Sequence, residues 1–443
     1  MPADIHQDES VTGNGSTFWK LGKYFMNSGS MSRTIVVGAI GNVLEWFDFA
    51  IYGYFAAAIG RTFFPNEDPV AQLLAAFGIF AVGFLMRPVG GALIGHIGDK
   101  YGRRAALTFS VAAMAIPTFL VGALPGYQVL GMAAPILLTL LRMIQGLSVG
   151  GEYTTSIVFM VERAPPGRRG FIGAMAGCGA VGGILLGSAT GTLLASTMSA
   201  EALETWGWRI PFLLGLLVGF AGFILRRHVQ ETPKTRKAVR SPLLETMRNH
   251  SPLLARLAAL SVFNSVGFYL LFVYIVSWLE LVDGMAPARA LGINTISMAA
   301  LLPVMVATGW ATDLFGRKPV MLGALVLGFV GALPFFWLMH HDDSALVLLG
   351  QMGFVIAVGT FVGTQPTIMV EAAPVAVRCT AIALGYNVTL GVVGGLTPLA
   401  ATWIIERTGN DYSPAFMVMA AAVISFVALV SFKETYKMPL EVA

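Results

Sequence analysis

The chain has 443 residues, of which 56% are hydrophobic and only 12% are charged, and its mean hydropathy is +0.73. Because soluble domains carry about 25% charged residues, this composition excludes a water-soluble protein that hides its apolar side chains in one core. The net charge of +4 indicates basic loops beside anionic lipid, not a nucleic-acid partner. The two cysteines, Cys178 and Cys379, lack the spacing of a zinc site or a redox pair, so we expect no metal and no disulfide.

Twelve apolar runs are long enough to cross a bilayer as helices, for which about 17 residues or more are needed. They lie near 34–61, 70–97, 105–124, 131–161, 170–196, 209–225, 253–281, 290–312, 319–339, 345–371, 379–405 and 413–432. These runs predict an all-α integral membrane protein whose twelve transmembrane helices form two six-helix bundles. The predicted parts are a tail (1–33), an N-terminal bundle (34–226), a connector (227–252), a C-terminal bundle (253–432) and a second tail (433–443).

Two internal repeats relate the predicted bundles to each other. The loop 99–104 (DKYGRR) returns 214 positions later as 313–318 (DLFGRK), and the segment that begins at Val161 returns at Val370, a spacing of 209. Repeats of this kind, related by an axis along the membrane normal, are how many secondary transporters are built. The repeats therefore favour a transporter.

The distribution of basic residues predicts the orientation in the membrane. If the N-terminus is cytoplasmic, 22 of the 28 Lys and Arg residues lie in inner segments and three, Arg61, Arg289 and Arg407, lie in outer loops. This bias places both termini in the cytoplasm and indicates a plasma membrane, which in bacteria is the inner membrane. Residues 1–33 lack the apolar core of a signal peptide, so the first helix is expected to insert by itself. We expect a monomer in the lipid bilayer, without nucleic acid.

Five charged residues lie well inside predicted spans of the first half: Glu45 and Asp48 in the first, Arg87 in the second, and Arg142 and Glu152 in the fourth. Each costs at least ~2.5 kcal/mol near the bilayer centre unless it is paired or hydrated. Three carboxylates and two guanidinium groups cannot all be neutralised in pairs, so at least one acid should take up a proton readily. We predict that Glu45, Asp48, Arg142 and Glu152 couple transport to protons. Static ion pairs that hold the helices together remain the alternative.

The same spans supply candidates for substrate binding. Arginine binds a carboxylate through two parallel hydrogen bonds and stays charged without water, which makes Arg87 and Arg142 candidates for a substrate carboxylate. Tyr52, seven residues after Glu45, shares a helical face with both acids, and this face is expected to line a cavity. Helix packing is the alternative for each polar candidate of the second half. The remaining candidates, able to hold a cation or to orient a ligand, are Trp46, Asn264, Tyr269, Tyr274, Gln365, Tyr386 and Asn387.

The repeated loop predicts a gate on the cytoplasmic side. An Asp at one helix end and an Arg at another can hold a face closed through charge and helix-dipole contacts, and a glycine permits the tight turn between them. Simple anchoring of the topology by the basic residues can coexist with this role. The predicted gate residues are Asp99, Gly102, Arg103, Asp313 and Arg317.

Several motifs resemble a known family. The loop 98–104, its copy at 313–318 and the segment 142–146 (RMIQG) resemble the major facilitator superfamily. The segments 41–49 (GNVLEWFDF), 84–91 (FLMRPVGG), 145–153 (QGLSVGGEY) and 206–212 (WGWRIPF) resemble its metabolite:proton symporter family. Members of that family import α-ketoglutarate, citrate, shikimate, proline or betaine with protons. The resemblance implies a role for Arg142 in proton transfer and for Asp99 and Arg103 in the inner gate.

These observations predict proton-coupled symport, in the direction of uptake, of a small carboxylate-bearing metabolite by alternating access. The two arginines slightly favour an organic acid, and a zwitterion such as proline or betaine is the other substrate class. We expect no enzyme activity and no cofactor, because the proton gradient supplies the energy. Three alternatives stay open: a facilitator or exchanger without coupling, a solute sensor on a transporter scaffold, and sodium as the coupling ion.

Overall fold

The computed structural model describes residues 42–43, 45–65, 69–101, 103–216 and 242–440. The predicted tail 1–33, the beginning of the first span, the final part of the sixth span and most of the connector 227–252 lie outside the described residues. The predicted boundaries of the tails, bundles and connector therefore stay predictions.

Every regular element in the described ranges is helical, and the first half contributes six helices. We label them in chain order. They are α1 (45–54 and Ala56–Phe63), α2 (Pro69–Leu85 and Arg87–Tyr101), α3 (Arg103–Ala123), α4 (Ala133–Glu162), α5 (Arg169–Thr197) and the described part of α6 (209–216).

Several short elements lie between the long helices of both halves. They are the short helices Tyr127–Leu130, Ala200–Ala202 and Pro242–Asn249, a π-helical turn at Leu203–Gly207 and a 3₁₀ turn at Val375–Val377.

The second half also contributes six long helices. The long helices are α7 (Ser251–Leu260, Val262–Tyr269, Leu270–Tyr274 and Ile275–Leu281), α8 (Pro287–Phe315), α9 (Arg317–Met339), α10 (Ser344–Ala372), α11 (Arg378–Thr389, Leu390–Gly394 and Gly395–Thr408) and α12 (Ser413–Val430).

The helices have the length and surface of membrane spans. Nine helices in the described ranges are long and apolar enough to cross a bilayer. Large apolar side chains stay exposed around the outside of the bundle, among them Val330 at 66%, Trp403 at 59% and Val427 at 66%. Such a surface is unfavourable in water and suits hydrocarbon.

Close helix contacts fix the positions of the chemically important residues. A Cβ atom on Gly150 of α4 would lie 1.9 Å from the carbonyl oxygen of Arg87 on α2, so only glycine permits this approach. Between the halves, a Cβ atom on Gly309 of α8 would lie 2.8 Å from the carbonyl oxygen of Gly170 on α5. Small residues therefore bring α2 against α4, and α5 against α8, at backbone distance.

Two π-helical turns interrupt helices of the second half. One, Leu270–Tyr274, follows Tyr269 in α7, and the other, Leu390–Gly394, lies in α11. The second turn brings Gly394 against the Tyr269 ring, which would lie 2.8 Å from a Cβ atom at this position. Such turns are frequent at functional sites, and these two lie beside the cavity described next.

Candidate functional site

A small cavity lies between the two halves, near the middle of the helices. It leaves about 20 Å³ for the centre of a water-sized sphere, which is enough for about one or two water molecules. The described side chains that line it include no carboxylate and no cation. The lining residues are Trp46, Tyr153, Gly177, Ala180, Val181, Ile184, Asn264, Phe268, Val362, Tyr386 and Leu390.

Aromatic rings from both halves form the walls of this cavity. Trp46 of α1 meets Tyr153 of α4 and Phe268 of α7 edge to face, with ring centroids 6.3 and 6.5 Å apart. The rings of Tyr153 and Tyr386 lie 5.4 Å apart. The Asn264 amide lies 3.5 Å from the Tyr386 hydroxyl. This arrangement can surround a small cation with π faces and also offers polar groups for orientation.

The Arg87–Glu45 ion pair lies beside this cavity. Arg87 Nη2 is 3.5 Å from Glu45 Oε1, and both side chains are buried. The guanidinium carbon lies 5.2 Å from the Trp46 ring centre and 5.1 Å from that of Phe84. The Tyr269 hydroxyl of the opposite half faces the same guanidinium without a hydrogen bond of regular geometry. This pair thus connects the cavity wall with both halves.

The Asp48–Arg142 ion pair has a different environment. Asp48 Oδ2 accepts hydrogen bonds from Arg142 Nη1 at 3.1 Å and from Gln145 Nε2 at 2.9 Å, and Oδ1 accepts one from Thr118 at 2.6 Å. All four residues are at most 2% exposed. The Arg142 guanidinium carbon also lies 3.7 Å from the centre of the Tyr52 ring. These residues form a closed cluster between α1, α3 and α4 that does not line the cavity.

The predicted acidic face of α1 therefore divides in two. Glu45 lies beside the cavity, whereas Asp48 and Tyr52 pack inside the first half, where the Tyr52 hydroxyl donates to the Ala76 carbonyl at 3.0 Å. Trp46, which faces away from Asp48, lines the cavity. The side chain of Glu152 lies outside the described residues.

The structure also separates the predicted polar residues of the second half. Asn264 and Tyr386 line the cavity, and Tyr269 lies beside it. By contrast, Gln365 Nε2 donates to Ser261 Oγ at 2.9 Å within the second half, and Asn387 Nδ2 donates to the Gly150 carbonyl at 2.6 Å across the halves. Tyr274 is buried without lining the cavity.

Two cavity residues, Tyr153 and Phe268, were not among the predicted candidates. Phe268 lies one helical turn after Asn264, so the i, i+4 spacing that places neighbours on one face would have indicated it. Tyr153 lies within the segment 145–153, where the adjacent Glu152 drew attention as an ionisable group. Apolar and phenolic side chains are common in helix cores, and their type alone carries little functional signal.

A network of buried ion pairs closes the face of the bundle that carries the repeated loops. Arg317 Nη1 binds Asp313 at 2.7 Å, and Arg317 Nε and Nη2 bind both oxygens of Glu371 at 3.1 and 3.0 Å. Arg169 of the first half joins this group, with Nη1 2.8 Å from Glu371 Oε1. Asp313 also accepts hydrogen bonds from the backbone N–H groups of Gly170 and Phe171, at the N-terminus of α5, at 2.8 and 2.9 Å.

The second internal repeat forms a reciprocal contact in this network. Glu162 of α4 binds Arg378 of α11, and Glu371 of α10 binds Arg169 of α5. Each acid and each base stands 209 positions from its counterpart in the other half, so the two contacts are related by the internal symmetry. Both cross between the halves, which means that this face cannot open while they persist.

The structure thus brings together the predicted gate residues Asp313 and Arg317. Gly316, between them, has φ +100°, which favours glycine, as expected for the tight turn of this loop. In the first copy of the loop, Gly102 and the side chains of Asp99 and Arg103 lie outside the described residues, so their role stays a prediction.

Comparison with protein families gives a match along almost the whole chain. The model of the family described as "Sugar (and other) transporter" matches residues 34–239 and 234–443. The glycine betaine/proline/ectoine/pipecolic acid transporter OusA of Dickeya dadantii is 35% identical over 432 residues, which are 94% of this chain and 86% of OusA. The proline/betaine transporter of Escherichia coli K12 is 34% identical with the same coverage.

Solved structures show the same fold. The proton:xylose symporter XylE bound to 6-bromo-6-deoxy-D-glucose superposes with a TM-score of 0.77 at 18% identity, covering 94% of this chain and 98% of XylE. The inward-open conformation of XylE from E. coli gives a TM-score of 0.71 at 19% identity, with 93% and 98% coverage. Together with the family match, these similarities confirm the predicted membrane fold of two helical bundles.

Proposed function

Since the chain belongs to the major facilitator superfamily, in its metabolite:proton symporter family of membrane transporters, we propose that it imports a small zwitterionic metabolite with protons. The proposed substrates carry one carboxylate and one cationic nitrogen, as proline and betaine do. The substrate occupies the central cavity, and the two halves expose it alternately to the two sides of the membrane.

The arrangement of charge around the cavity carries this proposal. Four aromatic rings surround a space whose described lining has no formal charge, and Arg87 stands at its edge. A cationic nitrogen fits among such rings, where cation–π attraction contributes about 0.5–2 kcal/mol. A carboxylate fits against Arg87. The relatives that transport proline and betaine support this substrate class.

An organic diacid fits the same groups less well. It needs two cationic partners, and the second buried arginine, Arg142, already binds Asp48 and packs on the Tyr52 ring. With Arg87 alone, one of its two carboxylates would stay buried without a charged partner, which is costly. The slight preference for organic acids from the sequence is therefore reversed in this proposal.

Binding and release require the bundle to open. The cavity, with room for about one or two water molecules, is smaller than proline or betaine, so either substrate enters from a more open conformation. Opening of the face closed by Glu162–Arg378 and Arg169–Glu371 must break both ion pairs. Exchange of such contacts between two discrete arrangements is how packed bundles switch.

We place the protein in the bacterial inner membrane as a monomer, with both termini and the closed face in the cytoplasm. The positive-inside distribution of Lys and Arg supports this orientation. The proton gradient supplies the energy, so the proposal includes no cofactor. Protons enter with the substrate through a carboxylate of α1.

Uptake into proteoliposomes tests the proposal. With an acid-outside gradient and no sodium, radiolabelled glycine betaine should accumulate above its external concentration, and a protonophore should abolish the accumulation. Mere equilibration would indicate an uncoupled facilitator, and binding without uptake would indicate a sensor. A requirement for sodium would show that sodium, and not the proton, is the coupling ion. Accumulation of succinate without accumulation of glycine betaine or proline would contradict the proposed substrate class.

A further inference from the structure

We infer that Glu45 and the carboxylate of the substrate compete for Arg87, so that Glu45 takes up one proton for each substrate molecule bound. This inference rests on the proposed function and assigns its coupling step to one side chain. Asp48, three residues later, keeps its charge and its partners throughout.

The first step is that Arg87 has hydrogen-bond donors to spare. Its Nε and Nη1 atoms are buried, and among the described residues they have no hydrogen-bond partner of regular geometry, although the Tyr269 hydroxyl faces the guanidinium. The indole N–H of Trp46, a cavity residue next to this guanidinium, is likewise buried without a partner there. Buried donors are normally satisfied, and exceptions call for an explanation. A carboxylate from the cavity would accept from these groups.

The second step is that the existing contact is weak. Arg87 Nη2 lies 3.5 Å from Glu45 Oε1, whereas Arg142 Nη1 lies 3.1 Å from Asp48 Oδ2. A ligand carboxylate that binds Arg87 through two parallel hydrogen bonds has the stronger geometry. The spare N–H groups of Arg142 lie instead against the Tyr52 ring, 3.7 Å from the guanidinium carbon, and are covered.

The third step concerns charge. Once the substrate carboxylate binds Arg87, two carboxylates share one guanidinium in a buried site, and like charges at this separation disfavour double ionisation. A quaternary nitrogen among the aromatic rings has no N–H to donate to Glu45. Besides Arg87, the titratable groups of the described residues that face Glu45 are the phenols of Tyr153, Tyr269 and Tyr386. Glu45 therefore forms an O–H bond with a proton from the solution that delivered the substrate.

The exchange of partners at Arg87 is reversed on the other side of the membrane. When the substrate leaves, Arg87 again binds Glu45, and the O–H bond of Glu45 breaks to release the proton there. The empty carrier then returns with a neutral Arg87–Glu45 pair. One proton moves per substrate molecule, and none is consumed chemically.

Asp48 lacks the features that this exchange needs. Three donors, from Thr118, Arg142 and Gln145, already satisfy its carboxylate, and all lie within the first half. A ligand in the cavity touches none of them. Asp48 is therefore a positioning residue that holds α1 against α3 and α4.

Calorimetric titration of the purified full-length protein with glycine betaine, in two buffers of different ionisation enthalpy, measures protons taken up per ligand. At a pH where Glu45 is ionised, the wild type should take up about one proton. The dissociation constant for glycine betaine should then rise about tenfold for each unit by which the pH increases. Glu45→Gln should bind with no proton uptake and no pH dependence, whereas the exposed acid variant Glu406→Gln should match the wild type.

Proton uptake that persists in Glu45→Gln would overturn the inference and leave the proposed function intact. If Glu45→Gln does not fold, the measurement on the wild type is sufficient. Binding of glycine betaine to the wild type without proton uptake also overturns the inference. Accumulation in proteoliposomes tests the proposed function separately. Failure to accumulate both glycine betaine and proline would remove the proposed function, and this inference with it.

Discussion

The two ion pairs of α1 have the same chemistry and lie one helical turn apart, yet their surroundings differ. Asp48 accepts three hydrogen bonds in a sealed cluster, whereas Glu45 pairs with an arginine that lies against the cavity residue Trp46. A sealed buried pair resists change, because removal of one partner strands the other charge. A pair beside a cavity can exchange partners with a ligand. In the proposed mechanism, access to the cavity, more than the presence of charge, distinguishes the two pairs.

Asp48→Asn should give the largest effect on stability. The substitution leaves Arg142 buried without its counterion, which costs about 3–5 kcal/mol. Thermal unfolding in detergent should therefore show a much lower midpoint than for Glu45→Gln, whose arginine has alternative surroundings of three aromatic rings. Equal losses in the two variants would erase the distinction between the pairs.

Tyr153→Leu removes one aromatic ring from the cavity wall and so tests the surroundings of the Arg87–Glu45 pair. Loss of a cavity ring should weaken glycine betaine binding about 3- to 30-fold, the range expected from 0.5–2 kcal/mol of cation–π attraction. Tyr153→Phe keeps the ring and should lose little. Binding of 3,3-dimethylbutanoate, which has the same shape without the cation, should respond equally to both variants.

Tyr52→Leu is the matched change in the sealed cluster. It should lower the unfolding midpoint and leave the affinity for glycine betaine nearly unchanged. If instead it weakens binding as much as Tyr153→Leu does, the cavity extends to Asp48 during transport.

Glu371→Gln extends the comparison to pairs that cross between the halves. It weakens the contacts to Arg169 and Arg317, so the closed face should open more often. Cys178, adjacent to the cavity residue Gly177, provides a reporter in a Cys379→Ser background. Its reaction with a maleimide should become several-fold faster than in the same background with Glu371 intact. An unchanged rate would mean that these pairs do not limit opening.

Glu434→Gln should have the smallest effect, because this carboxylate is only partly buried. Burial, the largest single influence, raises the pKa of Glu434, but backbone N–H donors from Lys318, Arg317, Tyr436 and Thr435 outweigh it and hold the pKa below 4.5. Ionised Glu434 therefore stabilises the protein above about pH 4.5, and this contribution disappears as the pH falls through the lowered pKa. The variant should unfold less than about 2 °C lower at pH 7. A deficit that grows on acidification would contradict this sign.

The sequence predicted the helices well because long apolar runs have few alternatives to membrane spans. The observed α2 and α8 extend to Tyr101 and Phe315, past the apolar runs, since the repeated loop residues continue each helix. The candidate gate residues Asp313 and Arg317 followed from the repeat, and the structure places them in contact. The pairing of Glu162 with Arg378 and of Glu371 with Arg169 could not be predicted in this way. A repeat shows which residues of the two halves are equivalent, but not which of them are in contact.

The site was less predictable than the fold. Spacing placed Glu45, Asp48 and Tyr52 on one helical face, but α3 supplies Thr118 and α4 supplies Gln145, and these partners decide which acid is enclosed. Helix rotation within a bundle depends on all neighbours at once. For the same reason Tyr153 and Phe268, ordinary aromatic residues in sequence, became visible as cavity walls only in three dimensions.

Infrared difference spectroscopy on addition of glycine betaine tests the central claim most directly. A band from a newly protonated carboxyl group should appear in the wild type and be absent in Glu45→Gln, and it should persist in Asp48→Asn wherever that variant still folds. A band that survives in Glu45→Gln and disappears in folded Asp48→Asn would contradict the division of roles between the two ion pairs.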